Sequence, residues 1–166
     1  KEQFTKRLVT WLEDLDMSST SRLTMDGYLE SYREISKRLL TITAEIRKLA
    51  QTHHYKQEFD LLITVPGIGL LTAMTLLTEL EDMNRFDSND KLCGYVGLVP
   101  STNSSGDTER VGDITPRGHS TLRSALIESG WVAIRADPAL TKSYIDYCKS
   151  MKPNKAIIRV AKRLLN

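Results

Sequence analysis

The stretch LLITVPGIGLLTAMTLL, residues 61–77, decides the fold of this chain more than any other stretch. It is the most apolar run in the sequence, but Pro66, Gly67 and Gly69 interrupt it, which excludes a membrane-spanning helix. Glycine permits the positive φ that a tight turn between two helices requires. The pattern therefore predicts a helix, a turn and a second helix within residues 57–81.

The same turn bares backbone N–H groups at the start of the second helix. Together with the helix dipole, these groups form a site that suits an anion such as a phosphate. The pattern resembles the helix-hairpin-helix motif, which grips the DNA backbone without reading bases. We therefore predict Pro66, Gly67, Ile68 and Gly69 as nucleic-acid contacts. The alternative is a plain helix corner that ends in a glycine cap.

Upstream of this turn, the apolar residues follow helical periods. Spacing of 4-3-4 predicts a first helix over residues 2–16, and the Ser/Thr run that follows offers caps for a second helix. The second helix carries an a/d seam of about three heptads. The seam consists of Tyr28, Tyr32, Ile35, Leu39, Ile42, Ile46 and Leu49. Because it is longer than the first helix can cover, we favour a homo-oligomer, dimer or tetramer, over pairing within one chain. Residues 1–55 are thus assigned to a coiled-coil assembly arm.

Downstream of the turn, the sequence predicts further helices and no convincing alternation of apolar residues. The predicted spans are 88–97, 119–135, 137–150 and 154–165. Ser88 is the expected N-cap of the first, and Pro138 falls in the first turn of the third. The expected buried face of the helix over 119–135 comprises Leu122, Leu126, Ser129, Val132 and Ala133. The fold class is predominantly α, with at most a short β-hairpin in the 98–116 loop.

The composition and the distribution of charge limit which classes of protein and which partners are possible. The chain has 166 residues, 40% of them apolar and 27% charged, with a net charge of +2. Cys93 and Cys148 lack Cys-x-x-Cys spacing, which favours a reducing compartment and predicts no zinc site. Residues 141–166 carry seven Lys or Arg against one acid, whereas residues 79–90 carry five acids and one Arg. The basic end suits phosphate contacts, although a solvated helix face would look the same.

From the basic end we predict four nucleic-acid contacts: Lys155, Arg159, Lys162 and Arg163. A fifth, Arg110, lies in the long polar loop within GLVPSTNSSGDTERVGDITPRGHSTLR, residues 97–123. A loop of this length in a compact domain is either functional or disordered. It offers several hydroxyls, and no GxSxG elbow distinguishes one of them. The hydroxyls are those of Ser101, Thr102, Ser104, Ser105 and Thr108.

The residues around Ser105 suit phosphodiester chemistry. Gly106 follows it and allows close approach of a backbone. The guanidinium groups of Arg117 and Arg123 could hold the charge that develops on phosphate oxygens during attack. His119 lies between these arginines, where it either moves a proton or contributes to capping or phosphate binding at the start of a helix. We count His119 among the predicted nucleic-acid contacts.

Taken together, these motifs resemble the C-terminal transposase domain of the insertion-sequence-110/116/902 group. This group includes relatives of the Piv and MooV DNA invertases and the bridge-RNA-guided serine recombinases. The resemblance covers about residues 55–166, and the coiled-coil arm also fits it. The family pattern G-L-x-P, four variable residues and S-G falls on Gly97, Leu98, Pro100, Ser105 and Gly106. The pattern G-[NH]-x-x-L-R-x-x-L falls on Gly118, His119, Leu122, Arg123 and Leu126, with His in place of the commoner Asn.

The resemblance implies a transposase or recombinase in which Ser105 attacks a DNA phosphodiester and forms a phosphoserine link. Arg117 and Arg123 complete the implied catalytic set. DNA and a guide RNA are the implied partners, without a membrane, in the prokaryotic cytoplasm at the nucleoid. Family members also carry a RuvC-like domain that binds Mg²⁺ through an Asp-Glu-Asp-Asp set. We do not recognise that set here, so we expect no cofactor or metal in this chain and no activity of this chain alone.

Two other functions remain open. One is a non-catalytic helix-hairpin-helix module that tethers a repair or replication protein to DNA. The other is a coiled-coil adaptor with an unrelated helical head. Without a second domain and DNA to dock against, we expect residues 101–116 to be either poorly ordered or held away from a productive pose. The predicted organisation is an arm over 1–55 and a transposase domain over 56–166, with the serine loop at 97–118.

Overall fold

The computed structural model describes residues 5–105, 108–114 and 117–165. Its contacts divide the chain into two units, Lys1–Arg47 and Lys48–Asn166. Among the helices of the described residues, none combines the length and the apolar character that crossing a bilayer demands.

The first unit is built from two helices, α1 (Lys6–Asp14) and most of α2 (Ser19–Ala50). The Oγ1 of Thr5 accepts the N–H of Leu8 and caps α1. At the other end of α1, the guanidinium of Arg22 donates to the carbonyls of Leu12 and Glu13, each at 3.1 Å. These bonds satisfy acceptors that a helix C-terminus leaves open.

The predicted capping of α2 by the Ser/Thr run is confirmed, since the Oγ of Ser18 accepts the N–H of Ser21 at 3.4 Å. The apolar seam of α2, the set of seven residues from Tyr28 to Leu49, is largely exposed. Tyr28 is 70% exposed, Leu39 60% and Ile42 56%. The helix therefore presents a long apolar stripe, and assembly through it stays a prediction.

The second unit begins with two helices around the Pro66–Gly69 turn. These are α3 (Lys56–Leu62) and α4 (Leu70–Leu80), followed by a 3₁₀ turn at Met83–Arg85 and by α5 (Asn89–Val96). The predicted cap of α5 is confirmed, because the Oγ of Ser88 accepts the N–H of Lys91 at 3.3 Å. Gly97 ends α5 in the left-handed region, with φ +82°.

A β-hairpin follows α5 and confirms the limited β structure expected in this loop. Strands β1 (Pro100–Ser105) and β2 (Thr108–Ile114) pair antiparallel, with Thr102 opposite Val111 and Ser105 opposite Thr108. The register shifts between Pro100 and Thr102. Part of the segment predicted to be poorly ordered, namely residues 106, 107, 115 and 116, lies outside the described residues.

Three helices complete the second unit and confirm the predominantly α class. They are α6 (Ser120–Ala136), α7 (Pro138–Cys148), with Pro138 in its first turn as predicted, and α8 (Pro153–Leu164). Their shared core contains Ala133, Leu140, Ile157 and Val160.

The prediction that Val132 belongs to the buried face of α6 is wrong. Val132 is 46% exposed, whereas Ser129 and Gly130 are buried. A Cβ at Gly130 would lie 3.4 Å from Ile157, so α8 packs closely against that side of α6. The buried stripe therefore runs through Ser129 and Gly130 and leaves Val132 beside it.

Candidate functional site

The two ends of the serine hairpin, β1 and β2 with their flanking residues, meet at a pair of glycines. Gly97 precedes β1 and Gly118 follows β2, and both have positive φ, +82° and +108°. A Cβ on Gly118 would lie 2.6 Å from the Cα of Gly97. Backbones can approach this closely only where neither residue carries a side chain. The contact closes the base of the hairpin.

His119 links that base to two other elements. Its Nδ1 accepts the N–H of Leu122 at 3.3 Å and caps α6, so the capping interpretation is confirmed. Its backbone N–H donates to the carbonyl of Tyr95 at 2.9 Å. Its Nε2 lies 2.9 Å from Oε2 of Glu79 in α4. Because Nδ1 accepts a hydrogen bond, the ring proton belongs on Nε2, from which it is donated to Glu79.

This arrangement uses both ring nitrogens of His119, so neither is free to shuttle a proton here. The capping geometry agrees with the start of a helix, where the first N–H groups need acceptors. A direct phosphate contact by His119 would require the ring to leave Glu79 or Leu122. His119 thus caps α6 and connects it to Glu79 in α4 and to the carbonyl of Tyr95.

The two predicted catalytic arginines lie at the same base. A Cβ on Gly97 would come within 2.6 Å of Nη1 of Arg123 and 2.7 Å of the carbonyl oxygen of Arg117. Arg123 is half-buried one turn into α6, and Arg117 is exposed. The guanidinium of Arg123 therefore rests against the backbone where the chain turns from α5 towards β1.

Ser105 lies at the opposite end of the hairpin from these arginines. Five residue steps separate it from Pro100 at the start of β1, or about 17 Å in an extended strand. The structure thus brings Arg117, Arg123 and His119 together and leaves Ser105 apart from them. Arg110 lies in β2 opposite Asn103. Gly106, the other half of the predicted Ser-Gly pair, lies outside the described residues.

The Pro66–Gly69 turn divides into a packed half and an open half. Gly67, with φ +89°, lies so close to α6 that a Cβ would be 2.2 Å from the carbonyl oxygen of Ser129. Ile68 is buried. By contrast, Pro66 and Gly69 are exposed, and no described atom lies within 4 Å of a Cβ built on Gly69. Gly69 is the N-cap residue of α4, whose first turn carries no carboxylate.

The predicted cations of α8 face two different neighbours. Nζ of Lys162 lies 2.9 Å from Oδ1 of Asp90 in α5, and this hydrogen bond raises the pKa of Lys162. Arg163 donates to the Oγ of Ser143 in α7 at 2.7 Å. The guanidinium carbon of Arg159 lies 5.5 Å from the centre of the Tyr147 ring, also in α7. Lys155 is exposed near the start of α8.

Sequence reasoning missed Glu79 and the contact between the two glycines. Glu79 belongs to the acidic stretch over 79–90 and carries no local signal that separates it from its neighbours. The glycines had a signal, since each opens one of the two motifs that flank the hairpin. Within residues 5–105, 108–114 and 117–165, no group of three or more His, Cys, Asp or Glu side chains could hold a metal ion.

The fold and the site define a helical domain that carries a β-hairpin clamped at its base beside two arginines. A family model described as Transposase IS116/IS110/IS902 family matches residues 59–145, more than half of the chain. The chain belongs to this family, which confirms the resemblance found in the sequence.

Curated relatives agree with the family match. The insertion element IS110 uncharacterized 43.6 kDa protein of Streptomyces coelicolor is 28% identical over 152 residues, which cover 90% of this chain and 36% of that protein. The putative transposase y4qE of Sinorhizobium fredii is 43% identical over 65 residues, 39% of this chain and 17% of that protein. The pilin gene-inverting protein of Moraxella bovis is 33% identical over 106 residues, 60% of this chain and 33% of that protein. The chain thus spans about a third or less of the length of these relatives.

Proposed function

We propose that this chain is part of a DNA transposase or site-specific recombinase in which Ser105 is the nucleophile for strand cleavage and rejoining. The observation that carries the proposal is the clamped hairpin. It presents Ser105 at the end of β1 and returns to a base flanked by Arg117 and Arg123. The family match and the relatives named as transposases support the same reaction class.

The proposed step is a transesterification. The Oγ of Ser105 bonds to the phosphorus, the bond from phosphorus to one deoxyribose oxygen breaks, and the serine proton leaves to a base while the departing oxygen gains a proton. The phosphoserine link conserves the diester, so a hydroxyl of another strand reverses the step and rejoins DNA. Five residue steps of extended strand, about 17 Å, separate Ser105 from the start of β1. Arg117 and Arg123 can therefore balance charge on the non-bridging oxygens only after the hairpin folds Ser105 back towards its base.

A serine hydroxyl needs a base or a metal to become a good nucleophile. The described residues offer no metal cluster, and both nitrogens of His119 are engaged. The resemblance to the family implies that the activating group, including any Mg²⁺, is supplied by a RuvC-like domain. When bound, such a metal would lower the pKa of the attacking hydroxyl or stabilise the leaving oxygen. On its own, the chain is expected not to recombine DNA.

Two surfaces support binding of DNA, and of a guide RNA as a second partner. The first is the open half of the Pro66–Gly69 turn, where exposed Gly69 gives a backbone phosphate access to the N–H groups of α4. The second is the pair Arg159 and Arg163, one turn apart on α8 and held by Tyr147 and Ser143. Contacts of this kind are insensitive to sequence. The apolar seam of α2 supports a homo-oligomer formed through the arm over 1–55.

Ser105→Ala tests the catalytic assignment in a longer protein that includes the domain providing the activating group. We expect loss of the covalent protein–DNA species on a denaturing gel, because the attacking oxygen is gone, while DNA affinity remains within about twofold. Ser104→Ala is the matched control, one residue away on the same strand. If the covalent species persists in Ser105→Ala and disappears in Ser104→Ala, then Ser104 is the nucleophile and the assignment of Ser105 is wrong.

The second candidate is a binding module without catalysis, which the exposed turn and the arginine pair favour by themselves. A salt titration of DNA and RNA affinity tests the binding surface that both candidates share. Log affinity should fall with log salt, and Arg159→Gln or Arg163→Gln should each make the slope shallower by about one. Lys91→Gln is the control, since Asp87 engages that ammonium and Lys91 is not among the predicted contacts. A nucleic-acid affinity that does not change with salt concentration would contradict both candidates.

A further inference from the structure

We propose that Glu79 is a positioning residue for the serine hairpin and that it acts through His119. The inference rests on the proposed function, in which the hairpin presents the nucleophile Ser105. The geometric part, that Glu79 holds the hairpin base, can be measured independently of any reaction.

The first support is the place of Glu79 in the packing of α4 against α6. Oε2 of Glu79 lies 2.9 Å from Nε2 of His119 at the start of α6. Seven residues earlier on α4, Oγ1 of Thr72 lies 3.2 Å from Oγ of Ser129, a buried residue of α6. Residues seven apart lie on one face of a helix. Two polar contacts therefore fix α4 along α6, one beside the Pro66–Gly69 turn and one beside the hairpin base.

The second support is the state that this geometry imposes on the imidazole. Nδ1 must be free of a proton to accept the N–H of Leu122, so Nε2 carries the proton and needs an acceptor. Glu79 supplies that acceptor and thereby fixes both the tautomer and the plane of the ring. Because the backbone N–H of the same histidine donates to the carbonyl of Tyr95, the fixed residue also holds Gly118 against Gly97.

The third support is that capping alone does not require Glu79. Ser, Thr, Asp and Asn are better N-cap residues than His, and none of them needs an outside carboxylate. What a histidine adds at this position is a second nitrogen that reaches α4. The Tyr95 ring, 6.2 Å from the His119 ring, and the Arg85 guanidinium over Tyr95 flank the same place. The side chain of Glu79 is itself 43% exposed, so burial is not its main contribution.

Hydrogen exchange on the 166-residue chain tests the geometric part. Glu79→Ala should speed exchange of the His119 and Leu122 amides, whereas Glu79→Gln, which keeps an oxygen acceptor for Nε2–H, should restore most of the protection. Glu128→Ala is the control, because it removes an exposed carboxylate from α6. In a His119→Asn background, which keeps a cap and loses the partner, Glu79→Ala should have no further effect.

Formation of the covalent DNA species in a longer protein tests the functional part. Glu79→Ala should slow it by about tenfold or more with DNA affinity unchanged, as expected when a reacting group is misplaced, and Glu79→Gln should recover most of the rate. A rate and an exchange pattern equal to those of Glu128→Ala would overturn the proposal. So would a loss of rate that Glu79→Gln fails to recover. If Ser105→Ala leaves the covalent species intact, the proposed function fails, and the exchange result still decides whether Glu79 holds the base.

Discussion

At the scale of single residues, two kinds of glycine that look alike in sequence differ sharply in the structure. Gly67, Gly97 and Gly118 have positive φ and neighbours closer than 3 Å to a hypothetical Cβ. Gly69 and Gly94 have no described atom within 4 Å of theirs. The first kind is required by packing. The second kind either leaves room for a ligand or, in a helix interior, merely weakens the helix.

Gly97→Ala should therefore destabilise the second unit strongly. The new methyl group would meet Nη1 of Arg123 at 2.6 Å and the carbonyl oxygen of Arg117 at 2.7 Å, in a left-handed conformation that alanine disfavours. We expect a loss of about 2–4 kcal/mol, from backbone strain and overpacking together. Gly94→Ala, inside α5, should instead raise stability by about 0.5–1 kcal/mol. Thermal unfolding of both variants checks this, and equal effects would contradict it.

At the scale of elements, local signals predicted most of the helices. Ser88, Asp137 and Pro138 lie at helix starts and act through neighbours a few residues away, so sequence alone sufficed. The hairpin was expected only as a possibility, because its strands lack apolar alternation and its ends join through Gly97 and Gly118. Val132 was assigned to the wrong side because the approach of α8 to Gly130 is a tertiary contact.

The apolar seam of α2 carries the prediction of assembly. Ile42→Asp should reduce the mass of the protein in solution towards that of one chain, because a carboxylate at a d position cannot pack against a second seam. Ala44→Asp is the matched control, since residue 44 is exposed two positions along the same helix and outside the seam. Light scattering or sedimentation measures the mass. If both variants keep the mass of the unsubstituted protein, the seam does not mediate assembly.

At the scale of the whole molecule, the site depends on residue pairs far apart in sequence. Glu79 and His119 are 40 positions apart, and Asp90 and Lys162 are 72 apart. The catalytic arginines and the serine stay predictions from motifs, whereas these pairs have no local pattern in the sequence and are visible only in the fold. Both pairs connect helices of the second unit.

Alkaline pH should weaken the second unit. Burial raises the pKa of the Cys93 thiol above its ordinary value of 9.0, and Asp90 raises that of Lys162 above 10.5. In both cases the folded chain holds a proton that the unfolded chain releases, so stability is full below these values and falls as pH rises through them. The melting temperature should therefore drop as the pH rises above about 9, where the unfolded chain releases the thiol proton that the folded chain still holds.

Cys93→Ala should make that drop shallower, and Cys148→Ala, at a half-buried site, should not. The readout is the slope with pH, because Cys93→Ala also leaves a small cavity that lowers the melting temperature at every pH. An identical slope in the two variants would show that the buried thiol does not contribute.

Because Gly97 and Gly118 are in contact, the length of the hairpin between them can change without a change in the helices that carry it. The chain leaves the helical body and returns to it at one point, so the body does not depend on how far the strands extend. Lengthening or shortening such an excursion changes the entropy of loop closure only slowly with its length. The part of the domain that presents the proposed nucleophile is thus free to vary in reach, while the two glycines that anchor it are not free to vary at all.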